Sequence, residues 1–140
     1  METTFEEKRI YPVELIQKSV SNFFGLRYND IFKNTRKREI ITARQFFYYM
    51  CRKHTNRSLK DIGLIPESYG LNKHDHATVL HAENKVSGFM DIYSEYRFFY
   101  REIKAMIDKE IPNYSLVEEV DLLKIAEHNT KLQSKFIYLT

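Results

Sequence analysis

TNRSLKDIG at residues 55–63 and DHATVLHAENKV at residues 75–86 are the stretches that decide the fold. Ser58 is a good N-cap for a short helix, and Asp75 caps or opens a second helix whose apolar residues recur at helical spacing. Two short helices joined by a turn form the helix-turn-helix arrangement. The second helix can lie in a DNA major groove, because its first turn presents short donors, acceptors and a methyl group to base edges. A capped helix start is common in proteins, so the motif alone leaves the function open.

Outward from this motif, apolar residues at helical spacing predict further helices, and no strand pattern stands out. One helix is expected over residues 12–25, a short one before residue 33, and a longer one over about residues 38–54. Pro66 and Gly70 then predict a loop of roughly ten residues. We therefore predict an all-α fold, a helix-turn-helix bundle with extra C-terminal helices.

The C-terminal part of the chain predicts two more helices. A Tyr- and Phe-rich helix continues or restarts after residue 89 and is expected to stop before Pro112. Ser115 and Glu118 form a capping-box pattern that predicts a last helix. The domains expected from these elements are a flexible lead-in over residues 1–11, a helix-turn-helix domain over residues 12–90 and a C-terminal helical extension over residues 91–140.

Positive charge is concentrated in one segment of the chain. The 140 residues carry a formal net charge of +3, but residues 27–60 hold ten Lys and Arg against two acidic residues. A basic block in an otherwise slightly acidic domain is typical of a protein that binds a polyanion. A solvated charged face is the other interpretation, and composition does not decide between them.

Cysteine use and hydropathy indicate the cellular compartment. The single Cys51 excludes an internal disulfide and fits a reducing environment. No apolar run approaches the ~18–20 residues of a membrane span, and the polar start METTFEEKRI is unlike a signal peptide. We therefore expect a cytoplasmic protein with no membrane contact.

The motifs resemble those of a known family. ITARQ at residues 41–45, followed by residues 55–63 and 75–86, is similar to the DNA-binding domain of the bacterial replication initiator DnaA family. That family shows Ala-Arg-Gln, then Leu-Thr-Asn-x-Ser-Leu-x-x-Ile-Gly, then Arg-Asp-His-Thr-Thr-Val-x-His-Ala, in the same order. The resemblance covers about residues 12–90 and implies a helix-turn-helix domain that binds double-stranded DNA in a sequence-specific way.

The resemblance also implies which residues touch DNA. The basic loop falls at residues 33–38, with Arg36 as the minor-groove arginine and Lys37 beside it. A guanidinium fits a narrow A·T minor groove, and helix N-termini together with Lys or Arg hold phosphates. Contacts from the major groove are implied for Asp75, His76, Ala77, Thr78 and Val79. Residues implied to border the DNA backbone or adjoining bases are Arg44, Gln45, Arg52, Leu59 and Lys60.

Three departures from the family pattern concern this DNA site. Ala77 stands where the family has a threonine, which keeps a methyl group for thymine but removes a hydroxyl. His74 replaces the arginine before Asp-His. The segment from Leu64 to His74 has eleven residues where about six are usual, so the turn carries an insertion. Together these departures put the family's usual DNA box in doubt as the target.

No residue pattern indicates catalysis, a metal or a cofactor. There is no Gly-x4-Gly-Lys-Ser/Thr phosphate loop for ATP. His76 and His81 are five residues apart, whereas two ligands on one helix need a spacing of three or four. His81 is therefore interpreted as a structural or phosphate-facing residue, and Cys51 as an inert thiol on an apolar stripe. We predict no catalytic residue, no metal, no cofactor and no enzyme activity.

The predicted function is sequence-specific DNA binding in replication initiation or its control, in a nucleoid-associated protein. A transcriptional regulator and a mobile-element protein are alternatives. A further alternative is a helical adaptor that binds a replication protein, or a second copy of the chain, through residues 91–140. Steep salt dependence of binding would distinguish a DNA reader from an adaptor.

Overall fold

The computed structural model describes the backbone of residues 10–128 and the side chains of residues 10–113. Within residues 10–128 the structure is helical and contains no strand, which confirms the all-α prediction. None of the helices in this range is both long and apolar enough to cross a membrane. Apart from Ile10 and Tyr11, the predicted lead-in lies outside the described residues.

The described residues form five α-helices and two 3₁₀ helices, connected by turns and loops. They are α1 (Val13–Phe23), a 3₁₀ helix (Asp30–Phe32), α2 (Arg38–His54), α3 (Leu59–Gly63), a second 3₁₀ helix (Ile65–Tyr69), α4 (His76–Ile92) and α5 (Ser94–His128). The first four α-helices lie where the sequence predicts them. The second 3₁₀ helix lies where the sequence predicts only a loop, and Gly70, in the left-handed region with φ of +78°, ends it.

α2 is the central helix of a compact unit that ends at Ile107. It packs against α1, α4 and the first 3₁₀ helix. Its inner face is an apolar stripe at helical spacing, whose buried members include Ile40, Ala43, Phe46, Phe47, Met50 and Cys51. Burial also raises the pKa of the Cys51 thiol. This helix therefore provides the frame on which the surface elements are placed.

The first turns of α5 belong to the core of the same unit. Ile103 and Ile107 are fully buried. The Phe99 ring lies 5.6 Å from the Phe24 ring and 6.0 Å from the Phe46 ring, measured between centroids. The unit thus extends beyond residue 90, where the sequence predicts the helix-turn-helix domain to end. The aromatic ring of Phe99 therefore covers the core.

The course of α5 corrects the predicted helix ends. The sequence predicts a stop before Pro112 and a new helix opened by Ser115 and Glu118, but α5 continues without a break through all three residues. A proline lacks an N–H and removes one backbone hydrogen bond, while the bonds on either side allow the helix to continue. The capping-box pattern therefore lies in a helix interior. The described part of the second compact unit, which begins at Asp108, is this section of α5.

Candidate DNA-binding surface

The start of α4 is fixed by its own side chains. The Asp75 carboxylate accepts a hydrogen bond from the backbone N–H of Thr78 at 2.9 Å and another from the Thr78 hydroxyl at 2.9 Å. These backbone and side-chain hydrogen bonds lower the pKa of Asp75. Asp75 and Thr78, both predicted DNA contacts, therefore also cap the helix that carries them.

The outward face of α4 carries most of the side chains predicted to read bases. His76, Ala77, Thr78 and His81 are exposed. Val79 is fully buried, so its side chain packs in the core rather than facing solvent. The first turn of α4 thus presents an imidazole, a methyl group and a hydroxyl outward, as the sequence predicts for a recognition helix.

Two residues on this outward face were missed by sequence reasoning. Leu80 is 40% exposed, and Asn84 is also exposed. They follow His76 at intervals of four and eight residues, which places all three on one face of the helix. Helical spacing counted from His76 is the signal that could have found them. Leu80 adds an apolar contact and Asn84 an amide to the candidate reading face.

The basic loop presents its cations to solvent. Arg36 and Lys37 are exposed. Lys33, at the start of the loop, forms an ion pair with Asp30 in which nitrogen and oxygen are 3.1 Å apart. Within the loop the Lys37 N–H donates to the Thr35 hydroxyl at 3.2 Å. The side chain predicted to enter the minor groove therefore lies on the exposed part of the loop.

Two arginines implied to border the DNA backbone are engaged within the protein. One guanidinium nitrogen of Arg44 donates to the Ile31 carbonyl at 3.2 Å and to the Lys33 carbonyl at 2.9 Å. Burial lowers the pKa of this half-buried arginine. Arg52 donates to the Glu83 carboxylate at 3.2 Å and so ties α2 to α4. DNA contacts from Arg44 and Arg52 must use their remaining N–H groups.

The other predicted backbone-facing residues differ in exposure. Gln45 and Leu59 are half-buried, whereas Lys60 is exposed. The Ser58 hydroxyl oxygen accepts a hydrogen bond from the Asp61 N–H at 3.1 Å, which confirms Ser58 as the N-cap of α3. Lys60 therefore stands in the first turn of a helix with a fixed start.

The lengthened turn at residues 64–74, called the insertion from here on, is anchored to the protein at its middle. The Tyr69 hydroxyl donates to the side-chain carbonyl of the buried Gln17 at 3.2 Å and lies 3.4 Å from the Tyr28 hydroxyl. The Tyr69 ring stacks on Phe32, with centroids 5.9 Å apart. These contacts hold the insertion against α1 and the first 3₁₀ helix.

Both ends of the insertion meet at Gly63. The His74 N–H donates to the Gly63 carbonyl at 2.9 Å. A Cβ atom at position 63 would lie 2.1 Å from the His74 carbonyl oxygen, so only glycine allows this approach. The insertion is therefore a closed loop, and the chain enters α4 from a fixed point.

His74 is turned toward the protein by a second contact. Its Nδ1 atom shares a hydrogen bond with the hydroxyl of Tyr48, which is buried. Burial and the nearby Arg44 charge lower the pKa of His74, and burial raises the pKa of Tyr48. At neutral pH both groups are therefore uncharged. The residue that replaces the family's arginine thus serves as an anchor for the insertion.

The basic loop and the insertion face each other across an open cleft of about 310 Å³. Phe32, Lys33 and Asn34 line it from the side of the basic loop, and Leu71, Asn72 and His74 line it from the insertion. Arg44 also lines the cleft. The residues just before Arg36 in the chain and the residues just before α4 therefore lie on opposite sides of the same cleft.

A family model described as the bacterial dnaA protein helix-turn-helix matches residues 13–86, more than half of the chain. The chain is 35% identical over 91 residues, 65% of its length, to the chromosomal replication initiator protein DnaA of Wolbachia sp. subsp. Brugia malayi (strain TRS), of which it covers 19%. It is 39% identical over 83 residues, 59% of its length, to the protein of the same name from Anaplasma marginale (strain St. Maries), of which it covers 17%. The chain therefore spans less than a fifth of the length of these relatives.

The matched residues extend from the start of α1 into α4 and include the basic loop, the helix-turn-helix pair and the insertion. The features implied by the sequence motifs thus fall within the matched region. The chain belongs to the bacterial dnaA protein helix-turn-helix family, a family of DNA-binding domains.

Proposed function

We propose that this protein binds double-stranded DNA at a specific sequence, with α4 in the major groove and Arg36 in the adjacent minor groove. The observation that carries this proposal is the placement of the two elements on either side of one cleft. Lys33 and Asn34 line the cleft just before Arg36 in the chain, and Asn72 and His74 line it just before α4. With this placement, α4 and Arg36 would contact neighbouring grooves of one duplex at the same time.

Base reading is assigned to the outward face of α4. The His76 ring offers nitrogen donors or acceptors to base edges, and the side chains of Ala77 and Leu80 offer apolar contact to thymine methyl groups. The exposure of all three side chains supports this assignment. The Thr78 hydroxyl donates to Asp75 and has its oxygen free to accept.

Positioning on the duplex is assigned to exposed cations outside α4. Lys37 follows Arg36 in the basic loop, and Lys60 stands in the first turn of α3. Contacts from such cations to phosphates orient a protein on DNA without distinguishing sequences. They also release counterions and make binding depend on salt concentration.

The biological role is replication initiation or its control. Relatives of this chain are named as chromosomal replication initiator proteins, which supports the role. Since the chain spans less than a fifth of those proteins, only DNA binding is assigned to it directly. The proposal includes no catalysis, so ATP hydrolysis by the purified chain would contradict it.

The test begins with a duplex selected from a random pool and compares three variants on it. His76→Ala should reduce affinity for the selected duplex by ~1–3 kcal/mol and hardly affect a random duplex. Lys60→Ala should weaken both complexes and flatten the log–log salt slope by about one. Arg36→Ala should cost most on sites with A·T-rich flanks. Equal losses for His76→Ala on both duplexes would exclude α4 as the recognition helix.

A helical adaptor is the second candidate, and exposed apolar side chains favour it. Ile92 is 67% exposed, Tyr93 50% and Phe98 46%. Side chains of this kind often mark a protein-binding surface. Salt titration separates the two functions, because a reader that contacts ~6 phosphates has a log–log slope of about −5. Apolar docking should be nearly independent of salt.

A further inference from the structure

The cleft between the basic loop and the insertion lies where a duplex would place its backbone. On the proposed function, Arg36 enters the minor groove and α4 enters the neighbouring major groove. Adjacent grooves are separated by one sugar-phosphate backbone, so that backbone must pass between the two elements. The cleft separates the basic loop, which carries Arg36, from the insertion, which leads into α4. Its volume of about 310 Å³ has room for on the order of ten water molecules.

We propose that this cleft binds a backbone phosphate of the DNA strand between the two grooves, and that Asn72 and Lys73 of the insertion are DNA-contact residues. This inference rests on the proposed function. It adds contacts from Asn72 and Lys73 that the resemblance does not imply, whereas Arg44 of the same cleft is already implied to border the DNA backbone. It assigns a role to the insertion, which departs from the family pattern.

The chemistry of the lining suits an anionic group. Lys33, Asn34, Arg44 and Asn72 bring ammonium, amide and guanidinium donors to the cleft, and none of the described residues that line it carries a carboxylate. Lys33 pairs with Asp30 through one N–O contact of 3.1 Å, but an ammonium has three donors. Arg44 likewise uses one of its terminal nitrogens for the Ile31 and Lys33 carbonyls and retains its other N–H groups. Charged donors form the stronger hydrogen bonds to phosphate oxygens.

The insertion places its polar residues between two anchored ones. Leu71 and His74 are half-buried, whereas Asn72 and Lys73 between them are exposed. The Tyr69 contacts and the Gly63–His74 hydrogen bond hold this segment before any DNA is present. Side chains carried on a fixed backbone lose less conformational freedom on binding, so the wall is preorganised for a phosphate.

Three variants that change the net charge equally provide the test. Asn72→Asp alters a residue that lines the cleft, and Lys73→Ala alters the exposed lysine that follows it in the insertion. Lys18→Ala alters an exposed lysine on α1 and serves as the control. Each changes the net charge by −1, so a difference between them reports position rather than total charge. All three side chains are exposed, and thermal melting should give unchanged midpoints. On both selected and random duplexes, Asn72→Asp and Lys73→Ala should weaken binding about five- to tenfold, and Lys18→Ala less than twofold.

A second measurement identifies the ligand as a single phosphate. Neutral methylphosphonate groups are placed one at a time along the selected duplex, and the affinity of the full chain is measured for each. Several positions should reduce wild-type affinity, because Lys37 and Lys60 are also proposed to contact phosphates. One of these positions should have little further effect on Asn72→Asp. If every methylphosphonate lowers the affinity of wild type and variant equally, the cleft contacts no phosphate. Inorganic phosphate at constant ionic strength serves as the free-ion probe, and competition by it at millimolar concentration without any methylphosphonate effect would likewise overturn the inference.

The two proposals fail in different ways. If the wild-type chain binds no duplex in a salt-dependent manner, the proposed function is wrong. If wild type binds with the expected salt slope and Asn72→Asp, Lys73→Ala and Lys18→Ala all behave like it, the insertion is not a DNA contact while the proposed function stands.

Discussion

The basic loop and the insertion border the same cleft but are held in different ways. The loop is fixed at its start, where Arg44 donates to the Lys33 carbonyl, and it exposes Arg36 further on. The insertion is fixed at both ends through the backbone bond between Gly63 and His74, and at its middle through Tyr69. One wall of the cleft can therefore adapt, while the other is set in advance.

Under the proposed function, this difference predicts how each wall would meet DNA. Immobilising a flexible side chain such as Arg36 costs about 0.5–1.5 kcal/mol at the moment of binding. The insertion is ordered by folding instead, so its contacts carry a smaller cost on binding. The loop is thus suited to following a groove whose width varies with sequence, and the insertion to fixing the position of the backbone.

A substitution that prevents the insertion from closing at Gly63 should lower stability the most. Gly63→Ala places a Cβ 2.1 Å from the His74 carbonyl oxygen, and a backbone atom cannot move aside as a side chain can. We expect the free energy of unfolding to fall by about 1–3 kcal/mol or more, measured by urea titration. Gly88→Ala is the matched control, because its Cβ meets nothing within 4 Å in the middle of α4. It should stabilise the protein by about 0.4–1 kcal/mol, and a Gly63→Ala variant as stable as this control would contradict the close approach.

Releasing the start of the basic loop should have the next largest effect. Arg44→Met keeps the apolar stem of the side chain but removes the donors to the Ile31 and Lys33 carbonyls. The partly buried Ile31 carbonyl would be left unsatisfied, which costs about 1–3 kcal/mol, whereas the exposed Lys33 carbonyl can bond to water. Urea unfolding can measure this loss. Arg38→Met, at an exposed position at the start of α2, should change stability little. Equal losses for both variants would mean that Arg44 does not hold the loop.

Loosening the middle of the insertion should have a smaller effect. Tyr69→Phe removes the hydrogen bond to Gln17 while the ring can still stack on Phe32. A loss of about 0.5–1.5 kcal/mol in unfolding free energy is expected. Tyr93→Phe, at a half-exposed ring, is the control and should leave stability unchanged. Hydrogen exchange of residues 70–74 should become faster in Tyr69→Phe alone, and unchanged exchange would show that this anchor is dispensable.

The smallest effect concerns pH and the anchor at His74. The folded protein lowers the pKa of His74 below its usual value of 6.5, mainly through burial. The unfolded chain therefore takes up the proton first, and stability should decline as the pH falls below about 6.5. His74→Asn keeps a polar atom near Tyr48 but does not titrate there. Unfolding free energies at pH 7.5 and 5.5 should differ less in this variant than in wild type, and equal differences would remove His74 as a source of pH dependence.

The helix starts were predictable because their hydrogen bonds are local. The Ser58 and Asp75 side chains each accept from an N–H three residues further along the chain. A short polar residue followed by apolar residues at helical spacing is therefore enough to locate such a cap. The exposed face of α4 follows from the same spacing, counted from a known start.

The engaged arginine and the anchored insertion were beyond this kind of reasoning. The partners of Arg44 lie 13 and 11 residues away, and the Tyr69 hydroxyl meets Gln17 across 52 residues. Within a basic block, a structural arginine has the same sequence appearance as one that faces phosphate. Pro112 illustrates the same limit, because whether a proline ends a helix depends on the strength of the structure on either side.

The reactivity of Cys51 can report transient opening of the protein core. Cys51 is the single cysteine of the chain and is completely buried in α2, where burial raises the pKa of its thiol. Only a thiolate reacts with alkylating reagents, so modification requires the core around α2 to open. The rate of Cys51 alkylation in the absence of denaturant thus measures how often the core around α2 opens. Comparing that rate with and without a bound duplex reveals whether occupying the surface stiffens the helix beneath it.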